Sequence, residues 1–297
     1  MVGRKRGPHS DYMTNMRQHC RKTIRPLAGA LAVLGLTFTP LIPSLIPADA
    51  ASTVSKVAVT FDGKTITGIP AGGLKGGINE ITITNNAKFA VGFEVYRLTE
   101  KHTDAELVKA RNSDVPPKWI EGAGGSAGMG AGKSNVAIVN LGTGTYAWGV
   151  SSSGPELDGK TPIGQFAVTG DKSKSEPKAG TKITAKEYTF ETSGLKAGVN
   201  RVAFINAGKE WHHLIFAKIK AGKTLDDVKK ELTSDLQGPP QSIDPATQAF
   251  LPLINPGVSS VTDITLVSGR YVFVCFMPDA AGKPHVMAGM VKEVKIA

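Results

Sequence analysis

The chain contains the same unit twice. Gly73-Leu74-Lys75-Gly76-Gly77-Ile78-Asn79 matches Gly194-Leu195-Lys196-Ala197-Gly198-Val199-Asn200 at an offset of 121 residues (194 − 73). The same offset carries Asn85 onto Asn206, Lys88 onto Lys209 and Thr103 onto Thr224. Further on, Gly144-Thr145-Tyr146 falls on Gly269-Arg270-Tyr271 at an offset of 125 (269 − 144). A repeat of this length is a domain-sized unit, so the expected organisation is two sequential domains, with no sheet running continuously across both. The boundaries read as 52–170 and 182–297, and the polar, Pro-containing stretch at 171–181 serves as a linker.

Each unit reads mainly as strands. Residues 57–61 and 78–84 in the first, and 186–190, 199–205 and 214–219 in the second, alternate apolar and polar side chains between Gly-rich turns. One helical stretch interrupts each unit. Residues 224–232 open with Thr224 as N-cap, carry acids in the first turn and space apolar residues three or four apart. Residues 103–108 are its counterpart. The predicted fold class is all-β: two tandem Greek-key β-sandwiches, each with a short helical insert. The Gly-rich segment 122–134 ends in Gly-Lys-Ser, but Ala127 stands where a phosphate-binding loop requires Gly, so it is read as a flexible loop.

Chemistry concentrates near the end of the chain. An apolar run, Tyr271-Val272-Phe273-Val274, leads into Cys275; His285 follows after nine residues, then Met290 in Ala288-Gly289-Met290-Val291. Upstream, Trp211-His212-His213 precedes another apolar run. Cys20 belongs to the leader described below, which leaves Cys275 without an intramolecular partner. Alone it reads as a reactive thiol, an intermolecular bridge, a buried hydrophobe or a metal ligand. Thiolate with imidazole suits copper or zinc, and a thioether favours copper. Met287 and Met290 read equally as core fillers. His213 is expected to face away from His212, since neighbours on a strand point to opposite faces.

The arrangement of Cys275, His285 and Met290 resembles the end of plastocyanin-type cupredoxins. There a strand ends in Cys, a His follows, Met comes five residues after that His, and the last strand begins Gly-Met-Val. The stretch Asn206-Ala207-Gly208-Lys209-Glu210-Trp211-His212-His213-Leu214-Ile215-Phe216 resembles that family's first-ligand segment, and by its register His212 takes the ligand place. The resemblance covers about the last 110 residues. It implies two cupredoxin-like domains, with one copper ion held in the second by His212, Cys275, His285 and Met290. For this to hold, residues 276–284 must fold back on themselves. In the first unit Val91 stands for His212, Val150 for Cys275 and Gln165 for Met290, so that unit is expected to be metal-free.

Residues 1–50 read as a secretory signal peptide: basic residues, an apolar run over 27–45, and Ala48-Asp49-Ala50 as the cleavage site. The expected location is therefore secreted, periplasmic or at the cell envelope, with no membrane-spanning segment after cleavage. Removing seven Lys/Arg and two Asp/Glu with the leader leaves 28 basic and 23 acidic residues, net +5. The basic residues are scattered, so no nucleic-acid partner is expected; a redox partner protein or an envelope component is. Four His lie beyond residue 50 and none forms a His-x-His pair. That argues against the multicopper oxidase and nitrite reductase chemistry that tandem cupredoxin domains also support, and the protein is not expected to be an enzyme. The expected function is electron transfer or copper handling. The competing reading is a metal-free interaction protein on the same scaffold.

Overall fold

The structure, a computed structural model, describes residues 54–111, 113, 116–152, 157, 162–234 and 240–297. The expected signal peptide and its cleavage near Ala50 lie outside these residues. The first half contains β1 Ser55–Phe61, β2 Ile66–Thr67, β3 Leu74–Lys75, β4 Gly77–Asn85, β5 Val91–Leu98, α1 Asp104–Arg111, β6 Ile120–Met129, β7 Ser134–Leu141, β8 Gly144–Ser151 and β9 Ile163–Thr169. The second contains β10 Thr181–Lys186, β11 Thr189–Ser193, β12 Gly198–Asn206, β13 His212–Ile219, α2 Leu225–Thr233, β14 Ile243–Ile254, β15 Ser259–Leu266, β16 Gly269–Val274, a 3-10 turn His285–Ala288 and β17 Val291–Ile296. The chain is all-β, and its strands form two mixed sheets.

The repeat is visible in local chemistry. In both halves the first strand runs parallel to a nine-residue strand, β1 to β4 and β10 to β12. The Asn79 and Asn200 amides donate to carbonyls two and four residues upstream. The Tyr146 hydroxyl accepts from Gly142 N–H and the Tyr271 hydroxyl from Val267 N–H. Both helices open with the same reciprocal cap. Thr224 Oγ1 accepts from Asp227 N–H while Asp227 Oδ2 accepts from Thr224 N–H; Thr103 and Glu106 do likewise. This satisfies two of the donors that a helix start leaves open. Helix α2 then lays Val228 and Leu232 on Ile215, Ala217, Val272 and Val274.

The sheets correct the expectation that none runs across both halves. One is ordered β11-β10-β12-β15-β7-β4-β1-β2 and the other β17-β16-β13-β14-β6-β5-β8-β9-β3, so each crosses both halves. The joins are short: Val261 and Thr262 pair with Ile138 and Ala137, and Ile254 with Ala123. Unpaired, β6, β7, β14 and β15 would be edge strands with open backbone groups, and pairing equivalent edges covers them. Side chains complete the seam: Thr262 Oγ1 accepts from Ala127 N–H at 3.0 Å and Asn255 Oδ1 from Gly122 N–H at 2.7 Å. Residues 171–178 carry no regular secondary structure and are strapped down, with Asn140 donating to Ser173 O and Ser259 to Pro177 O.

Two local expectations also change. Most of the Gly-rich segment is strand, mainly buried in β6, with a turn leading into β7. Its glycines permit close backbone approach: a Cβ on Gly122 would lie 2.5 Å from Leu253 O, and one on Gly125 2.0 Å from Phe93 O. The run 186–190 is not one strand. It turns at Glu187 and Tyr188, and β10 and β11 pair as a hairpin with Lys186 opposite Thr189.

Aromatic rings fill the second sandwich. Phe273 packs on Phe216 and Phe190 with ring centroids 5.7 and 6.2 Å apart, and Cys275 and Met290 belong to the same buried cluster. Phe61, Phe93 and Trp148 are part of the equivalent core of the first half.

Candidate metal centre

Three turns deliver side chains to one end of the second sandwich. Asn206 organises the first. Its Oδ1 accepts from Gly208 N–H at 2.9 Å, and its amide donates to Glu210 O at 2.7 Å and Ile254 O at 3.0 Å. That closed turn starts β13 at His212. At the far end of β16, Cys275 N–H donates to Met290 O at 3.3 Å and Phe276 N–H to His213 Nε2 at 2.9 Å.

The stretch from 276 to 284 folds back as a small hairpin. Asp279 N–H donates to Lys283 O at 2.8 Å, and Asp279 Oδ1 accepts from Ala281 and Lys283 N–H. Pro278 and Pro284 form a bridge, and His285 N–H returns to Met277 O at 2.8 Å. The long spacing between Cys275 and His285 is thereby closed. The 3-10 turn ends at Gly289 with φ +96°, a left-handed conformation that glycine adopts without strain. Met290 N–H then donates to His285 O at 2.9 Å.

His212, Cys275 and His285 converge, and one ligand atom from each lies within 4.8 Å of the others. Cys275 Sγ is 3.5 Å from His285 Nδ1 and 3.8 Å from His212 Nδ1. All three residues are fully buried, as is Met290. The outward nitrogens meet carboxylates. His212 Nε2 is 3.3 Å from Glu187 Oε1; His285 Nε2 is 2.8 Å from Glu210 Oε2, a close polar contact off the hydrogen-bond line. Tyr188 packs edge-on against the His285 ring at 5.0 Å.

The second imidazole of the His-His pair lies outside this group. His213 Nε2 accepts from Phe276 N–H at 2.9 Å instead and so supports the backbone beside Cys275. Glu187, Tyr188 and Glu210 are contacts the sequence did not single out. Glu210 stands two residues before His212, a local signal, whereas Glu187 comes from a distant hairpin.

Burial governs the electrostatics. The Cys275 thiol is pushed up to about 12, because a buried thiolate loses its hydration. Burial, reinforced by the neighbouring His285 ring, lowers His212 to about 4 against the opposing pull of Glu187. His213 falls to about 3 for the same reason, with no carboxylate to offset it. His285 is also lowered by burial, with Glu210 working against the shift. Burial raises Glu187, but the Glu210 and Lys209 N–H groups outweigh this and hold it below the usual carboxylate range. The rings are therefore neutral near pH 7, with lone pairs available.

The donor set fits a metal ion. Nitrogen at about 2.0 Å and sulfur at about 2.3 Å from one ion, at about 110–120°, lie about 3.5–3.7 Å apart. The two S···N separations match that spacing closely, and the thiolate-imidazole composition suits copper or zinc.

The first half occupies the same pole with other residues. Val91 opens β5 where His212 opens β13, and Val150 N–H donates to Pro162 O as Cys275 N–H donates to Met290 O. Pro162, not Gln165, therefore stands in the place of Met290. Gln165 pairs with Ala147 as Glu293 pairs with Val272, and its amide donates to His102 O and Asp104 Oδ1 at the start of α1. The final connection differs in length between the halves, which is why a fixed offset misassigned it.

No family model and no curated protein matches the chain. Among solved structures it is similar to auracyanin B, at 18% identity over 42% of this chain and 95% of that one, with a TM-score of 0.26. It is also similar to auracyanin from Roseiflexus castenholzii, at 21% identity over 39% and 94% with a TM-score of 0.25. Copper nitrite reductase from Nitrosomonas europaea matches at 16% identity over 82% and 94%, with a TM-score of 0.23. The fold is cupredoxin-like. What makes it so is its own strand pairing, with a buried His-Cys-His group at the pole where the final strand connection meets the start of β13. No helix among the described residues of this cupredoxin-like chain is long and apolar enough to cross a membrane.

Proposed function

We propose that this is an exported copper protein that carries electrons or handles copper, in which His212, Cys275, His285 and Met290 would hold one ion. The observation that carries this reading is the mutual approach, within 4.8 Å, of one ring nitrogen from each of two imidazoles and one thiol sulfur, in three fully buried residues. A copper ion bound there supplies a one-electron couple. The chain's own residues exclude water, present the lone pairs and hold the rings. Met290 is anchored at both backbone ends, its N–H to His285 O and its carbonyl to Cys275 N–H, which supports its place beside the ligands.

We read it as an electron carrier rather than an enzyme because four His lie beyond residue 50 and none forms a His-x-His pair. His102 stacks on Trp119 with ring centroids 3.6 Å apart. The partner is a redox protein or an envelope component, and the leader over residues 1–50 directs export. The first half is a metal-free structural domain, with valines at Val91 and Val150.

Adding Cu(II) to the full chain tests the reading. One equivalent is expected to give an intense visible absorption from the Cys275 thiolate, and His213→Ala is expected to retain it because His213 Nε2 accepts from Phe276 N–H instead. Absence of the band in the wild type would favour the metal-free interaction protein.

A further inference from the structure

Both imidazoles of the centre face a carboxylate, and the two glutamates are themselves held in place. Glu187 lies in the β10–β11 turn and Glu210 in the turn before β13. Glu187 Oε1 accepts from Lys209 N–H at 2.6 Å and Glu210 N–H at 2.8 Å, besides facing His212 Nε2. Glu210 Oε1 accepts from Ala280 N–H at 3.4 Å, tying the ligand-bearing hairpin to the His285 ring. Each carboxylate is about a quarter exposed, Glu187 25% and Glu210 23%, so its far side is hydrated while its near side reaches a fully buried ring.

The repeat provides a comparison within the molecule. Ala207 N–H donates to Ala185 O as Asn86 N–H donates to Phe61 O, so Glu187 corresponds to Gly63 and Glu210 to Phe89. The half without the ligand set also lacks both carboxylates. The residue opposite changes in step. Gly63 faces Ala87, where an added Cβ would make ordinary contact at 3.7 Å. Glu187 lies over Gly208, where an added Cβ would fall 2.2 Å from Glu187 Oε1. The second half thus makes room for a carboxylate that the first half does not have.

A carboxylate only accepts hydrogen bonds, so Glu187 selects for His212 the tautomer with its proton on Nε2 and Nδ1 bare; Glu210 lies 2.8 Å from His285 Nε2, off the hydrogen-bond line, and its negative charge favours a proton on that nitrogen. In both rings Nδ1 is the atom that faces Cys275 Sγ. We propose that Glu187 and Glu210 are paired positioning residues: they set both imidazoles in the metal-ready tautomer before any ion arrives, and their negative charge tunes the buried centre toward a divalent, oxidised ion. The metal part rests on the function proposed above. The tautomer part is a property of the metal-free protein.

Glu187→Gln, Glu210→Gln, Glu187→Ala and Glu210→Ala test this in the full chain. Long-range 1H–15N correlation spectra of the metal-free wild type are expected to show His212 and His285 protonated at Nε2. The glutamine variants keep that tautomer, since the amide oxygen still accepts, while Cu(II) affinity falls by about 10- to 100-fold and the reduction potential rises. The alanine variants lose the tautomer preference of the ring they faced. Protonation at Nδ1 in the wild type would overturn the proposal, as would four variants that match it in tautomer, affinity and potential. If the wild type bound no copper, the function above would fail, and the tautomers in the alanine variants would decide this inference alone.

Discussion

Cys275→Ser is expected to abolish the visible absorption of the copper-loaded protein completely and to weaken Cu(II) binding by orders of magnitude, with little change to the metal-free fold. Sulfur donates the charge that produces the band, and a hydroxyl at this position neither ionises at neutral pH nor binds copper comparably. The fold is expected to survive because serine is smaller and can still hydrogen-bond to His285 Nδ1, 3.5 Å from the native sulfur. Binding must also displace the thiol proton, which burial holds to about 12, so copper uptake releases a proton and weakens as pH falls. Parallel absorption and thermal-melting measurements check both halves: loss of the band with a retained cooperative transition is the expected pair. A band that persisted in the serine variant would place the chromophore elsewhere.

Acidification is expected to destabilise the metal-free protein well above the carboxylate range. Burial lowers His212 from 6.5 to about 4 and His213 from 6.5 to about 3. Between 6.5 and those values the unfolded chain binds protons that the folded chain does not. Stability therefore rises with pH across the window and is lost as pH falls below about 6.5. Each fully differing histidine contributes a slope of about 1.4 kcal/mol per pH unit. The pair gives roughly 3 kcal/mol per unit at its steepest, large against a typical domain stability of about 5–15 kcal/mol. Denaturant titrations from pH 7 to 4.5 measure it. His213→Gln is expected to remove about half of the slope, and a flat stability profile would contradict the buried, neutral rings.

Much of this was legible in the residues. The repeat gave paired elements because each half needs the same buried residues at the same places: Asn85 and Asn206 close equivalent turns, and Thr103 and Thr224 cap equivalent helices. That His212, Cys275 and His285 come together was legible because each stands at one end of an apolar run near the same pole.

The seam between the halves was not legible. It depends on which edges meet, and its signal, the buried polar run Ser259-Ser260 with Thr262, resembles ordinary strand sequence. The Gly-rich run failed for a related reason. Glycine reads as a breaker along the chain, but here it answers to close backbones from β5 and β14. Glu187 was invisible because its partner is 25 residues away, across a turn that the alternation of 186–190 concealed.

X-ray absorption at the copper edge, on the full chain loaded with one equivalent of Cu(II), tests the central claim most directly. The first shell is expected to contain two imidazole nitrogens at about 2.0 Å and one sulfur at about 2.2–2.3 Å, with outer-ring scattering from His212 and His285 that disappears in the corresponding alanine variants. A shell of nitrogen and oxygen without the short sulfur distance, or one unchanged when His212 and His285 are replaced, would contradict it.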